Sequence, residues 1–147
     1  MNDERFVELL GQAHRGEAPV VLAAVELEPG LATRAAYGGG HTLLHGASRG
    51  GHADLVRDLL DRQADLHQRS TVGQDSLMYA SCNGHIPVIE LLLSRGADIA
   101  ARNVRGNTAL WLAATHHQMP TCQFLISRGS DPMAVNNQGE SVMDIFR

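Results

Sequence analysis

Residues 73–105 read GQDSLMYASCNGHIPVIELLLSRGADIAARNVR, a run of 33 residues that begins with a glycine. A similar run begins at Gly106, and the same step of 33 residues leads back to Gly40 and on to Gly139. A fixed step of this length is typical of repeat proteins, in which one repeat cannot bury its apolar face alone and stacks against its neighbours. The glycine spacing therefore predicts a stacked array of repeats.

Other residue columns keep the same step as the glycines. Two columns are formed by leucine, one by alanine and one by aspartate. These columns are Leu44, Leu77, Leu110 and Met143; Leu59, Leu92 and Leu125; Ala47, Ala80 and Ala113; and Asp65, Asp98 and Asp131. His52 and His85 keep the step as well, and Gln118 takes the third place. Agreement at so many positions excludes a chance spacing of the glycines.

One period contains the signals of two helices. Thr42 stands where its hydroxyl can accept a backbone N–H bond at the start of the first helix. Gly51 ends that helix, because glycine adopts left-handed backbone angles at little steric cost. Residues 52–62 then form an amphipathic second helix whose apolar face consists of Leu55, Val56, Leu59 and Leu60. Each period is therefore predicted to be a helix–turn–helix unit.

These residues resemble the ankyrin repeat family, which has a 33-residue unit with a Thr-Pro-Leu-His-any-Ala signature. Residues 83–85 (Asn-Gly-His), 90–93 (Glu-Leu-Leu-Leu) and 95–98 (Arg-Gly-Ala-Asp) match the family most closely. The resemblance covers most of the chain and implies an all-α, ankyrin-like α-solenoid of helix–turn–helix repeats joined by β-turn or hairpin loops.

The chain departs from the family signature in two columns. The signature proline is replaced in every repeat, and the signature histidine occurs once, as His45. In the family that histidine ties neighbouring loops together by hydrogen bonds. The residues that replace the proline are Leu43, Ser76, Ala109 and Val142, and those that replace the histidine are Met78, Trp111 and Asp144.

The whole chain, residues 1–147, is predicted to be one repeat domain. Its full repeats are residues 36–68, 69–101 and 102–134, between an N-terminal capping repeat (1–35) and a partial C-terminal cap (135–147). An offset of 35 residues aligns the N-terminal cap with the first full repeat and matches Leu9, Ala13, Gly16, Val20 and Val21 to Leu44, Ser48, Gly51, Leu55 and Val56.

Two expectations concern the ends of the array. The offset of 35 residues exceeds the 33-residue step by two, which implies a two-residue insertion. This insertion falls between Pro29 and Gly40, where we expect a mobile loop because glycine and proline are frequent. At the C-terminus we expect Met143 and Phe146 to cover the last apolar face.

Composition disfavours several classes of function. All 12 basic residues are arginine and the net charge is −4, so no basic stripe is available to nucleic acid. The absence of lysine excludes a Schiff-base lysine and a phosphate-loop lysine. It fits either a chain that avoids modification at lysine, as in ubiquitin-handling proteins, or the codon usage of a GC-rich genome.

The expected compartment is the cytoplasm. The longest apolar run has eight residues, from Ala18 to Val25, so no signal peptide or membrane span is expected. Cys82 and Cys122 are 40 residues apart and are expected to be reduced thiols. We expect a monomer.

No residue pattern indicates catalysis, a cofactor or a metal. His52 and His85 lie in a repeat column, which favours a structural hydrogen-bonding role. The adjacent His116 and His117 lack the i, i+4 spacing of helical zinc ligands, and Cys82 has no histidine beside it to make it a nucleophile. Cys122 is expected to be a buried small residue. We therefore expect a chain that is not an enzyme.

The resemblance implies that turn tips and first helices form a concave partner-binding face. Tyr79 and Arg105 are the residue types that often anchor interfaces, whereas Trp111 is expected to pack between repeats. Carried over by register, the predicted binding residues are His41, Arg49, Gly50, Thr71, Val72, Gln74, Tyr79, Cys82, Asn83, Val104, Arg105, Asn107, Thr115, His116, Asn137, Gln138 and Glu140.

Three functions follow as hypotheses. The first is a non-catalytic module that binds another protein through the concave face. The second is a dedicated regulator, inhibitor or assembly scaffold of one enzyme. The third, and the least supported by residue spacing, is a histidine-based metal-binding protein.

Overall fold

A computed structural model describes all 147 residues and contains no β-strand. The nine α-helices are α1 (Asp3–Arg15), α2 (Ala18–Leu27), α3 (Leu43–Gly50), α4 (Ala53–Asp61), α5 (Ser76–Cys82), α6 (Ile86–Ser94), α7 (Ala109–Thr115), α8 (Met119–Ser127) and α9 (Val142–Ile145). One short 3-10 helix, Pro29–Ala32, lies between the first two pairs. The prediction of an all-α solenoid is confirmed.

The helices stack as two layers. In the first layer α1 packs on α3, α3 on α5, α5 on α7 and α7 on α9. In the second layer α2 packs on α4 and α4 on α6, and each second helix also packs on the first helix of its own pair. No helix is long and apolar enough to cross a membrane.

Capping side chains determine where the first helices begin. The Thr42 hydroxyl accepts the His45 backbone N–H at 3.3 Å, the Asp75 carboxylate accepts that of Met78 at 2.9 Å, and Thr108 accepts that of Trp111. Each bond satisfies a donor that the helix itself leaves without a partner. The predicted cap at Thr42 is confirmed, and α3 ends, as predicted, at a left-handed Gly51.

The repeated apolar columns form the core. The leucines at 44, 77 and 110, those at 59, 92 and 125, and the alanines at 47, 80 and 113 are all buried. Cys122 is buried as expected, and Trp111 is partly buried against the core. Alanine suits its column because a small side chain lets first helices approach closely.

Glycine permits an even closer approach between α1 and α3. A Cβ atom added at Gly50 would lie 2.1 Å from the carbonyl oxygen of His14, and one added at Gly46 would lie 3.0 Å from that of Leu10. The two glycines are one turn apart and face the same neighbouring helix. The backbone of α1 therefore rests directly on α3.

A ladder of two histidine side chains joins the second helix pair to the first and the third to the second. The Nε2–H of His52 donates to the carbonyl of His14 at 2.8 Å, and that of His85 donates to the carbonyl of Arg49 at 2.9 Å. Both acceptors lie near the end of the preceding first helix. The predicted structural role of these two histidines is confirmed.

The ends of the array differ from the regular repeats, and the structure corrects the expectations about the mobile loop and about Met143 and Phe146. The start of the supposed mobile loop packs into the core, where Leu31 and Ala32 are buried. Val20 is 48% exposed, because no earlier helix pair covers the face of α2 that carries it. Met143 and Phe146 are about half exposed, because the register of α9 turns its Val142 inward instead.

Candidate functional site

A groove runs along the first-helix layer, between the helices and the turn tips that precede them. It consists of three adjoining depressions with volumes of about 250, 460 and 410 Å³. His41, Arg49 and Tyr79 line both the first and the middle depression, and Gln74 and His116 line both the middle and the third. The three depressions therefore form one continuous surface, which we call the first-helix groove.

The turn tips beside the groove are held to one another by hydrogen bonds. The Thr71 N–H donates to the carbonyl of Gly39, the Val104 N–H to that of Val72, and the Asn137 N–H to that of Arg105, at 3.0–3.2 Å. Each bond joins turns of successive helix pairs. The wall of the groove is thus a hydrogen-bonded row and not a set of separate loops.

Asparagine side chains support this row. The Asn103 carboxamide oxygen accepts the backbone N–H groups of Arg105 and Asn107 at 2.9 and 3.0 Å. Asn136 does the same for Gln138 and Glu140 one turn later. These bonds shape the turns that present the predicted binding residues.

Three rings form the wall of the first depression. The His41 ring meets the Tyr79 ring edge-on, with centroids 5.6 Å apart, and the centroids of His45 and Tyr79 are 5.3 Å apart. His45 is buried, accepts the Thr42 N–H at Nδ1, and donates from Nε2 to the Gln68 carbonyl at 2.9 Å. The loop-tying role implied for this histidine is confirmed.

Burial keeps these rings uncharged near neutral pH. It lowers the pKa of His45 to about 4, against an ordinary value of 6.5. Burial, together with the nearby Arg49 charge, also lowers the pKa of His41. The first depression therefore combines neutral aromatic rings with one guanidinium.

The model of a family described as ankyrin repeats (three copies) matches this chain over residues 12–103 and again over residues 44–136. The chain belongs to the ankyrin repeat family. Proteins of this family generally mediate protein–protein interactions. The first-helix groove of this ankyrin array lies on the side where the resemblance predicted a binding face.

The array is also similar to part of a longer protein. It is 39% identical over 72 residues to a protein of rice (Oryza sativa subsp. japonica) that is described as a probable E3 ubiquitin-protein ligase. The matched segment covers 49% of this chain but 14% of the rice protein. The likeness thus concerns a minor part of that ligase.

Most of the predicted binding residues line the groove of the ankyrin array. Those that line it are His41, Arg49, Val72, Gln74, Tyr79, Cys82, Asn83, Val104, Arg105, Asn107, Thr115 and His116. Those outside its lining are Gly50, Thr71, Asn137, Gln138 and Glu140. Gly50 instead faces α1, and the other four lie in or beside turn tips.

Two residues of the predicted set are buried. Tyr79 is 8% exposed, and its hydroxyl donates to the Ser70 hydroxyl at 3.0 Å. Asn107 is 4% exposed, and its backbone N–H bonds to Asn103. Tyr79 therefore offers little exposed surface as an anchor, because the preceding turn folds over its ring. Arg105, in contrast, is exposed.

Residues of the N-terminal helix also line the groove, although the predicted set omitted them. Leu10, Gly11 and His14 form one side of the first depression. The 35-residue offset that aligns the N-terminal cap places Leu10 opposite His45 and His14 opposite Arg49 in register. That offset was a signal in the sequence that α1 contributes to the groove.

The thiol in the groove is poorly suited to nucleophilic chemistry. Burial raises the pKa of Cys82 to about 11, so the thiolate is scarce at neutral pH. Both cysteines are free thiols. No group of three His, Cys, Asp or Glu side chains is arranged to hold a metal ion.

Proposed function

We propose that this ankyrin array is a non-catalytic protein-binding module that holds its partner in the first-helix groove. The observation that carries the proposal is the continuity of that groove over four helix pairs, with exposed side chains along a hydrogen-bonded wall. A long surface of this kind suits a folded partner or a peptide. We further propose that it acts as a monomer in the cytoplasm, where its free thiols remain reduced.

Rigidity supports this function. The bonds between successive turn tips and the His52 and His85 ladder hold the groove in one shape before a partner arrives. A preformed surface loses little conformational entropy on association, so more of its contact energy appears as affinity.

A matched pair of double variants tests the proposal. Arg49→Ala with Arg105→Ala removes two exposed groove residues, whereas Arg5→Ala with Arg57→Ala removes two exposed arginines elsewhere. Both variants change the net charge by the same amount. Proteins captured from the source cell by wild type are compared with those captured by each variant, and circular dichroism verifies that both remain folded.

We expect at least one captured protein to be lost with the groove variant and retained with the control variant. Titration of that purified protein against all three forms must then reproduce the difference. If every captured protein binds the groove variant as well as wild type, the groove is not the binding surface.

A second candidate function is the regulation or assembly of one enzyme, which the similarity to a probable E3 ubiquitin-protein ligase favours. The composition agrees with this candidate, since lysine is the side chain that accepts ubiquitin and this chain has none. The test is whether an enzyme copurifies with this protein in a stoichiometric amount. If one does, its turnover is measured with and without a saturating amount of this protein. Unchanged turnover would leave only the general binding function.

A further inference from the structure

The first-helix groove differs in charge from the rest of the molecule. The chain carries 16 acidic residues and a net charge of −4, yet no Asp or Glu lines any of the three depressions. Two of its 12 arginines, Arg49 and Arg105, do line them and are exposed. The groove is thus a cationic surface on an acidic protein.

The acidic groups on neighbouring elements are already engaged. The Asp75 carboxylate is buried at the start of α5 and accepts the Met78 N–H at 2.9 Å. Glu140, in the last turn, accepts a bond from the Asn136 carboxamide at 3.1 Å. Neither carboxylate forms an ion pair with a groove arginine.

Most arginines outside the groove have partners within the chain. Seven form ion pairs with carboxylates, namely Arg15, Arg34, Arg57, Arg62, Arg95, Arg128 and Arg147. Arg69 and Arg102 donate to backbone carbonyls of the next turn. The three guanidinium groups without such a bond belong to Arg5, Arg49 and Arg105, and two of these three lie in the groove.

Pairing is regular on the second-helix layer. Arg62 bonds to Glu26, Arg95 to Asp61 and Arg128 to Glu90, each with a carboxylate of the preceding helix pair. These pairs neutralise that layer from one helix pair to the next. The groove has no equivalent pairs, and its guanidinium groups are left available to a carboxylate, which they bind with two parallel hydrogen bonds.

The third depression also contains buried polar atoms without a partner. The Asn107 Oδ1 and the Trp111 Nε1 are both buried, and neither makes a hydrogen bond. Both residues line the same depression as Arg105. One atom is an acceptor and the other a donor, and both are covered by neighbouring protein atoms, so neither is exposed to a ligand in the groove.

We propose that the first-helix groove binds an extended, acidic segment of the partner protein, with Asp or Glu side chains on Arg49 and Arg105. This inference rests on the proposed function. Arg49 lies in α3 and Arg105 in the turn before α7, so they are at least two interhelical spacings apart, about 18 Å, a distance that roughly six residues of extended chain span. The segment therefore presents two acidic positions separated by about six residues or more.

The test is an unbiased selection of displayed dodecapeptides on the full chain. The groove variant Arg49→Gln with Arg105→Gln and the control variant Arg5→Gln with Arg57→Gln are run in parallel. Selected peptides are synthesised with a fluorophore, and their affinities are measured by anisotropy at two salt concentrations. Each is compared with a version in which Asn and Gln replace Asp and Glu.

We expect selection on wild type to enrich Asp and Glu above their frequency in the starting library. The double groove variant should weaken binding about 25- to 100-fold, the control should bind like wild type, and the amide version of the peptide should lose most of its affinity. Added salt should weaken the acidic peptides.

Three outcomes would overturn the inference, and they differ in what they say of the proposed function. If neutral peptides are enriched and the groove variant no longer binds them, the ligand is not an acidic segment, but the groove is still the binding surface. Peptides that bind the groove variant unchanged, or no enriched peptides at all, remove the groove as a peptide site. If a fluorescent single-stranded RNA binds in the same anisotropy assay and its binding depends on the same two arginines, the positive charge of the groove serves nucleic-acid binding instead.

Discussion

Acid should destabilise this protein through one buried histidine, His45. The ring is 2% exposed, donates to the Gln68 carbonyl and accepts the Thr42 N–H, so it has no place for a second proton. Its pKa falls to about 4 in the folded chain, against 6.5 in the unfolded one. The unfolded chain therefore binds the proton more tightly.

The sign and size of the effect follow from proton linkage. A base whose folded pKa is depressed contributes its full stability above pH 6.5 and loses it as the pH falls toward 4. Between pH 7 and pH 5 the two pKa values correspond to a loss of about 2 kcal/mol in the free energy of unfolding. This is a large part of the 5–15 kcal/mol typical of a domain.

The assay is urea unfolding followed by circular dichroism at pH 7 and pH 5. The test variant is His45→Gln, and the control is His67→Gln, because His67 is exposed. Wild type and control should each lose about 2 kcal/mol, while the test variant should lose less than half of that. The lowered pKa of His41 acts in the same direction in all three proteins, and the raised pKa of Asp75 acts in the opposite direction, so both cancel in the comparison.

An equal loss in wild type and in His45→Gln would refute this reasoning. The pH dependence would then arise elsewhere, and the buried ring would carry no linkage of this size. A variant that is less stable at pH 7 does not affect the conclusion, because only the change with pH is compared.

Three other perturbations have defined outcomes. Gly50→Ala would press a methyl group against the His14 carbonyl and should lower the free energy of unfolding by about 1–3 kcal/mol. The control Gly30→Ala places its methyl group in open space and should change the free energy of unfolding by less than about 0.5 kcal/mol. Equal urea midpoints for the two variants would contradict the close approach of α1 and α3. Asp75→Ala removes the cap of α5 and should cost about 1 kcal/mol, most of which Asp75→Asn restores in the same unfolding assay. Cys82, whose pKa is raised to about 11, should react with DTNB at pH 8 more than tenfold slower than free cysteine, and a rate equal to the free thiol would show that the side chain is not buried as described.

The part of the fold that sequence predicted well is local or strictly periodic. The Thr42 cap and the Gly51 stop depend on backbone geometry within a few residues, so the residue types are sufficient to predict them. The leucine and alanine columns are buried because every repeat places the same position against the same neighbour. The side of the array that forms the groove was instead implied by the resemblance to the ankyrin repeat family.

The candidate site was predicted less completely, because its composition depends on contacts between successive helix pairs. Tyr79 had the residue type of an anchor, but Ser70 from its own turn and the rings of His41 and His45 enclose it. Leu10 and His14 line the groove from the N-terminal helix α1, whose sequence deviates from the repeat. Neither result follows from spacing alone.

The amino-acid sequence by itself determined the helical repeat, its 33-residue step, the helix boundaries and the absence of lysine. The tertiary structure alone decided which arginines are paired between successive helix pairs. Arg62 and Arg49 are equally basic in the sequence, but stacking brings Glu26 to the first and no carboxylate to the second. The physical reason is that helix signals act within one turn of chain, whereas these ion pairs join side chains that only the stacking of separate helix pairs brings together.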